Sequence, residues 1–501
     1  MLRNGLATAT VTLLSLMPVA FLGCSSSEKV KEGSFTNSPN PNVDLANTRD
    51  APSSIKGTTV STLDPAWSLS LEAQGEGERF TGTPVVAGGL VYLQDPDSNV
   101  LAVDASSGEM FWEKRFAEPT AGPNGVVVAQ GKIFGATPTN AFALDADTGK
   151  VLWSVALVRN ELERISMAPG FHGGLVYFAT GPAAEAGDEV GVLWALDAKS
   201  GKKVWHFDTV PRRLWGHPEI NFGGGLSAPP AFDGEGSMYI GTGNPGPIPG
   251  TERFPWGSSR PGSNPYTNSI VKLDERTGDL EWQYQVTPHS VCNWDVGAPV
   301  LSEVRGRKVV VAGSLGGLVV AVDRETGKLL WRQPVGRHNG HDDDGLLTAK
   351  GDSAAVQTPV VVYPGVFGGV SGAIAVRGST VFVPVIDWAT RLNTQVAAEM
   401  VGASAGQLVA LDLATGAVRW KKHLSSGLFG PVVATNDLVI SSSWDGWAHA
   451  FDTSSGDEVW SSKLAAHTEG GLTVSGNTLL FRTGLVGGEE VPQLVAYRLG
   501  G

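Results

Sequence analysis

The side chains best suited to chemistry in this sequence are oxygen donors, and their densest run is Gly340-His341-Asp342-Asp343-Asp344-Gly345. Three consecutive carboxylates between glycines resemble a loop for a hard cation, although an acidic run in an exposed insert more commonly just faces solvent. The histidines His289, His449 and His467 lie far apart and show no metal-ligand spacing. There is no Gly-x-Ser-x-Gly elbow, no phosphate loop and no His-Glu-x-x-His. Absence of Cys-x-x-Cys-His excludes covalent haem. Sulfur chemistry is confined to Cys24 and Cys292.

Cys24 belongs to an address rather than to a fold. Arg3 precedes an apolar stretch from Leu6 to Leu22, which ends at Phe21-Leu22-Gly23-Cys24. The pattern resembles a bacterial lipoprotein signal, in which the cysteine is acylated and becomes the mature N-terminus. Phe21 departs from the usual Leu, Val or Ile, and an ordinary secretory signal cut near Gly23 is the other reading. Both place the chain outside the cytoplasm, in a bacterial cell envelope. The expected organisation is a signal over 1–23, a flexible tether over 24–42 and one folded body over 43–501. The net charge of −13 argues against nucleic acid and against a basic membrane-binding patch, leaving the N-terminal lipid as the membrane contact.

What must position any site is a repeat. The pattern Asp-x-x-(Thr/Ser)-Gly-x-x-x-Trp runs from Asp104 to Trp112, Asp145 to Trp153, Asp197 to Trp205 and Asp274 to Trp282. It recurs from Asp323 to Trp331, Asp412 to Trp420 and Asp452 to Trp460. Each copy reads as a hairpin: an apolar strand, Asp and Ser/Thr bonding the local backbone, Gly at a positive φ, then the Trp strand. Successive tryptophans lie 41, 52, 77, 49, 89 and 40 residues apart, so the unit is one four-stranded blade and the excess is inserted loop. Large insertions are expected at about 206–273 and 332–411. Trp67 looks like a Trp strand without its hairpin, and 494–501 like a repeat cut off before its Trp. Joining the two ends completes an eighth blade and leaves no open edge. The expected fold is an all-β, single eight-bladed β-propeller.

Asp44-Leu45-Ala46-Asn47-Thr48-Arg49 and the stretch from Tyr239 to Trp294 resemble the quinoprotein alcohol dehydrogenases, eight-bladed propellers that hold pyrroloquinoline quinone (PQQ) and Ca²⁺. The repeats alone are also similar to the propeller lipoprotein of the β-barrel assembly machinery. The resemblance implies that a planar trianion needs a stacking surface on each face, cations at its carboxylates and a hard metal ion. Position by position, those groups are missing. The vicinal disulfide matches 118–125, which has no cysteine, and the arginine after it matches Asn124. The stacking Trp matches Ser227, and a second cationic contact matches Leu315 in Leu315-Gly316-Gly317. Asn293 occupies the position of the general-base Asp, where an amide cannot take a proton from an alcohol. Asp295 matches an additional carboxylate of lanthanide-using relatives and is a possible substitute base. Glu185, Asn244 and Asp295 match the metal ligands, although each also suits an ordinary turn or loop.

Two functions follow. One is a non-catalytic binding or scaffold protein without a cofactor, engaging a protein, peptide or glycan through top-face loops where Trp215, Phe254, Trp256 and Trp388 offer contacts or pack as lids. The other is a divergent PQQ-dependent alcohol or polyol dehydrogenase using Ca²⁺ or a lanthanide at Glu185, Asn244 and Asp295.

Overall fold

The computed structural model describes residues 35–71, 82–122, 124–182, 189–211, 216–292, 294–341, 356–394, 397–484 and 491–500. Cys24, Glu185, Trp215, Asn293 and Asp342 to Asp344 lie outside the described residues.

Seven of the predicted hairpins sit on the two outer strands of seven antiparallel sheets. Blade 1 runs Val85–Ala87, Leu90–Gln94, Val100–Asp104, Met110–Lys114, and blade 2 runs Val127–Ala129, Lys132–Ala136, Asn140–Asp145, Val151–Ala156. Blades 3 to 7 end on Lys203–Asp208, Leu280–Gln285, Leu329–Pro334, Val418–Leu424 and Glu458–Lys463. Blade 8 combines Leu472–Ser475, Thr478–Thr483 and Gln493–Leu499 with the N-terminal strand Leu63–Ser70, where Trp67 pairs with Ala496 and Ser68 with Val495. That is the predicted closure.

Eight hydrophobic clusters fall one to each pair of neighbouring blades, including the pair of blade 8 with blade 1 through Val91, Leu101, Leu480 and Leu494. The core is therefore a closed ring of sheet-on-sheet contacts.

The tryptophans explain why the repeat spacing is strict. In each hairpin the Asp Oδ1 accepts from the Thr or Ser that follows, as in Thr148 Oγ1 to Asp145 at 2.6 Å, which holds the Asp145 carboxyl below its ordinary pKa. The glycine then turns at φ between 66° and 78°. A Trp of the preceding blade lies flat on that glycine. A Cβ at Gly149 would stand 2.7 Å from the Trp112 ring, and one at Gly416 2.6 Å from Trp331. Each indole also donates to a carbonyl of the same hairpin, Trp112 Nε1 to Ala146 at 3.1 Å and Trp331 Nε1 to Leu413 at 2.9 Å. Trp460 faces blade 8, which lacks the signature, and meets the Tyr497 ring edge-on at 5.7 Å instead.

The segment before Leu63 is part of the propeller. Ser38 exchanges backbone bonds with Val86 of blade 1, and Val128 of blade 2 donates to Pro39. Phe232 donates to Leu45, Leu301 to Ala46, Val376 to Thr48 and Ala434 to Arg49, which engages blades 4 to 7 in turn. These bonds cover inner edge strands that would otherwise be unpaired. They also move the expected boundary at residue 43: the ordered body already includes Ser38.

The expected insertions contain blade strands. Within 206–273 lie Ala231–Phe232, Ser237–Gly241 and the start of Ser269–Asp274 of blade 4, beside a two-stranded sheet of Phe222–Gly223 with Pro245–Gly246. Within 332–411 the strands Thr380–Thr394 and Ala397–Asp412 make one long hairpin projecting beyond blade 6. No helix among the described residues is long and apolar enough to cross a membrane.

Candidate functional site: the central channel

The loops that lead into and out of the inner strands converge on one cavity of about 540 Å³. Asn124 reaches it from the approach to blade 2, Ser227 from the approach to blade 4, Asp295 from the link between blades 4 and 5, and Leu315 from a turn of blade 5. The sequence positions therefore do meet. Asn244 lies in an adjoining cavity of about 780 Å³, which shares Asp295 and Phe367 with the first. Its other walls are mainly apolar, among them Phe222, Ile248, Val366 and Leu392.

Asp295 is the hinge between the two spaces. Its Oδ1 accepts from the Asn244 backbone N–H at 2.6 Å, and its own carbonyl accepts from Leu315 N at 3.0 Å. Burial pushes the Asp295 carboxyl upward, against the opposing pull of the Asn244 N–H. Gly243 makes the approach possible, since a Cβ there would lie 3.0 Å from the Gly225 carbonyl and 3.1 Å from Asp295 Oδ1. The Asn244 side chain is not aimed at Asp295: Nδ2 donates to the Pro245 carbonyl at 3.2 Å. No group of three or more His, Cys, Asp or Glu suited to a metal occurs among the described residues.

Asn124 is turned to the protein. With its nitrogen facing the Ile165 and Ser166 carbonyls at 3.3 and 3.2 Å, its oxygen accepts from Thr120 Oγ1 at 2.7 Å. Ser227 is exposed to the cavity and carries no ring. Two lining groups lay outside the sequence reading. Glu469 brings a second carboxylate from the approach to blade 8. Arg49, noted in the sequence for resemblance alone, is the one cation among the described lining residues. Its guanidinium donates to Val432 O at 2.7 Å, Pro41 O at 3.1 Å, Asn42 Oδ1 at 2.8 Å and Leu472 O at 3.0 Å. Burial lowers its pKa to about 9.

The described wall offers two carboxylates, and its single guanidinium is bound to four protein oxygens. Of the loop aromatics, Trp256 is fully buried, clustered with Val291, Cys292 and Trp294, so it is a lid rather than a contact. Phe254 is taken up by His217, at 4.4 Å between ring centres. Trp388 stays partly exposed, between Phe367 at 6.4 Å and Phe429 at 6.2 Å. His449 bonds Glu458 at 2.7 Å and Ser443 at 3.0 Å within blade 7.

The closed ring of signature hairpins and its channel define a PQQ-repeat β-propeller, and the chain belongs to that family. Residues 43–126 and 175–337 match the β-propeller domain of glucose/ethanol/alcohol dehydrogenases, and 118–228 and 369–499 match the outer membrane protein assembly factor BamB. The quinohemoprotein alcohol dehydrogenase ADH IIB of Pseudomonas putida is 28% identical over 469 residues, 81% of this chain and 66% of that protein. The quinohemoprotein alcohol dehydrogenase of Comamonas testosteroni is 27% identical over 84% of this chain and 68% of its own length. These relatives are thus matched over about two thirds of their length. The solved Comamonas testosteroni structure superposes with TM-score 0.79 at 23% identity, covering 93% of this chain and 81% of that one. A europium-containing methanol dehydrogenase gives 0.76 at 20%, covering 94% and 99%. BamB of Moraxella catarrhalis gives 0.55 at 16%, covering 87% and 97%. These structural likenesses show the fold.

Proposed function

We propose that this chain is an exported binding protein, lipid-anchored at Cys24, that keeps the quinoprotein scaffold and channel without quinone catalysis. The observation that carries this reading is the channel wall. Asn124, Ser227 and Leu315 stand where resemblance puts a cation, a stacking ring and a second cation, and Asp295 and Glu469 add negative charge. Repulsion between these carboxylates and a trianion opposes its binding there. Function on a shared fold follows the site rather than the scaffold. The relatives' dehydrogenase activity supports a second reading, a divergent alcohol or polyol dehydrogenase with Ca²⁺ or a lanthanide at Glu185, Asn244 and Asp295. The observation in its favour is that Asn244 and Asp295 line the same cavity beside the channel.

Dye-linked alcohol oxidation by the unaltered protein and by Asn293→Asp, each given PQQ with Ca²⁺ or La³⁺, separates the two. Silence in both is expected. Turnover by the unaltered protein overturns the binding reading, and turnover by the variant alone shows a working pocket that lost only its base.

A further inference from the structure

The outer strands of the blades are not alike. In each signature the two residues before the Trp stand on the outermost strand of a blade, which pairs on one side only. In five of the seven copies that doublet includes a charged or a partly buried residue: Lys203-Val204, Leu280-Glu281, Leu329-Leu330, Val418-Arg419 and Glu458-Val459. Of the seven, only blades 1 and 2 carry two exposed apolar side chains there. These are Met110-Phe111 and Val151-Leu152, at 47, 63, 44 and 48% exposure. The Trp docking contact makes the two doublets neighbours, since Trp112 lies on Gly149, two residues before Val151. Single exposed apolar residues are ordinary, whereas four on adjoining blades form an apolar patch.

The path of the chain identifies what covers the patch. Phe35, the first described residue, packs into the cluster between blades 8 and 1. Its ring lies 5.5 Å from the Arg498 guanidinium, which donates to Ala105 O at 2.9 Å and to Ser106 O at 3.1 Å. Those carbonyls belong to the hairpin that leads directly into Met110 and Phe111. Eleven residue steps lead from Cys24 to Phe35 and span at most about 40 Å. We propose that Met110, Phe111, Val151 and Leu152 rest in the headgroup interface of the bilayer that holds the Cys24 acyl group. This rests on the reading of the chain as lipid-anchored, and it fixes the orientation of the ring. The backbone limits the depth: an outer strand has unpaired N–H and C=O groups, which stay hydrated in the interface but not in hydrocarbon. Four side chains orient the ring, and the acyl group holds it. The signature hairpins stand at one end of the blade strands and the links bearing Asn124, Ser227 and Asp295 at the other. The channel loops therefore lie at the end of the blades remote from the patch.

The test places an NBD fluorophore at matched positions of the acylated full chain in vesicles of phosphatidylethanolamine and phosphatidylglycerol. Lys150→Cys puts it beside the intact patch, and Ala417→Cys puts it at the same repeat position in blade 6, with Cys292 buried in both. Quenching by doxyl-labelled lipid should be at least about threefold stronger at 150 than at 417. Phe111→Ser with Leu152→Ser should bring the two positions within about twofold of each other. Both substituted side chains are exposed, so the fold should be retained, as circular dichroism checks. Equal quenching at the two positions overturns the proposal, as does a difference that survives the double substitution. A chain that is dimeric in detergent, and monomeric with Phe111→Ser and Leu152→Ser, overturns it in favour of a second copy on the patch. Flotation with the vesicles and acyl mass on Cys24 test the underlying reading separately. A chain with neither ends both, whereas an acylated, floating chain with equal quenching ends this proposal alone.

Discussion

Gly131 and Gly149 provide a matched pair for the mechanism that holds the ring together. Both are in blade 2, at φ of 68° and 67°. A Cβ at Gly131 meets nothing within 4 Å, but at Gly149 it would stand 2.7, 3.0 and 3.1 Å from atoms of the Trp112 ring. Substituting alanine imposes the same left-handed backbone cost at each position, about 1–2 kcal/mol. At Gly149 the ring of the neighbouring blade must also lift, stretching the Trp112 Nε1 bond to Ala146, currently 3.1 Å. Forced overpacking of this kind costs about 1–3 kcal/mol. Gly149→Ala should therefore lose about 1–3 kcal/mol more than Gly131→Ala in urea unfolding followed by tryptophan fluorescence. Equal losses would refute the idea that the signature exists to dock a tryptophan between blades.

Acidification tests a buried imidazole. Burial, with Arg260 adding to it, lowers the pKa of His289 to about 4 from an ordinary 6.5. From pH 6.5 down to 4 the unfolded chain takes up a proton that the folded chain refuses, so stability falls with pH by about 3 kcal/mol. Asp95, raised to about 6 by burial, changes stability in the opposite sense as pH falls through the same window, and it does so in any variant of His289. His289→Gln should thus be less acid-sensitive than the unaltered protein by that amount, measured as unfolding free energy against pH; parallel profiles would contradict it. Removing 491–501 deletes the strand Gln493–Leu499, which pairs on both sides with Leu63–Ser70 and Thr478–Thr483. The truncated chain should not unfold cooperatively in calorimetry, and a sharp soluble transition would count against ring closure. Cys24→Ala should move the protein from the membrane to the soluble fraction with an unchanged circular dichroism spectrum. An unaltered protein that is soluble and lacks lipid mass would end the anchoring proposal.

The fold was legible because the Asp-to-Trp signature packs local turn chemistry and a long-range contact into nine residues. Asp145, Thr148 and Gly149 set the hairpin, and Trp112 reads it from the blade before. Trp67 and Val495 announced the closure because each is half of a pattern whose other half lies at the opposite terminus. The hairpin of Thr380–Thr394 with Ala397–Asp412 was hidden, since strands running past the core lack the repeat's spacing. The channel was only partly visible. Asn124, Ser227, Asp295 and Leu315 could be placed by resemblance, but Glu469 carries no local signal and enters the wall only through the path of the blade 8 loop. Arg49 stood in a recognised stretch, yet its role depends on carbonyls at 432 and 472, which no local pattern connects to it.

The proposed function rests on the channel not accepting a trianionic quinone. Equilibrium dialysis of the full chain against PQQ with Ca²⁺ and with La³⁺, read by the absorbance of the retained cofactor, measures it directly. Retention no greater than that of a protein without a propeller channel is predicted. Stoichiometric retention with either cation would contradict the account.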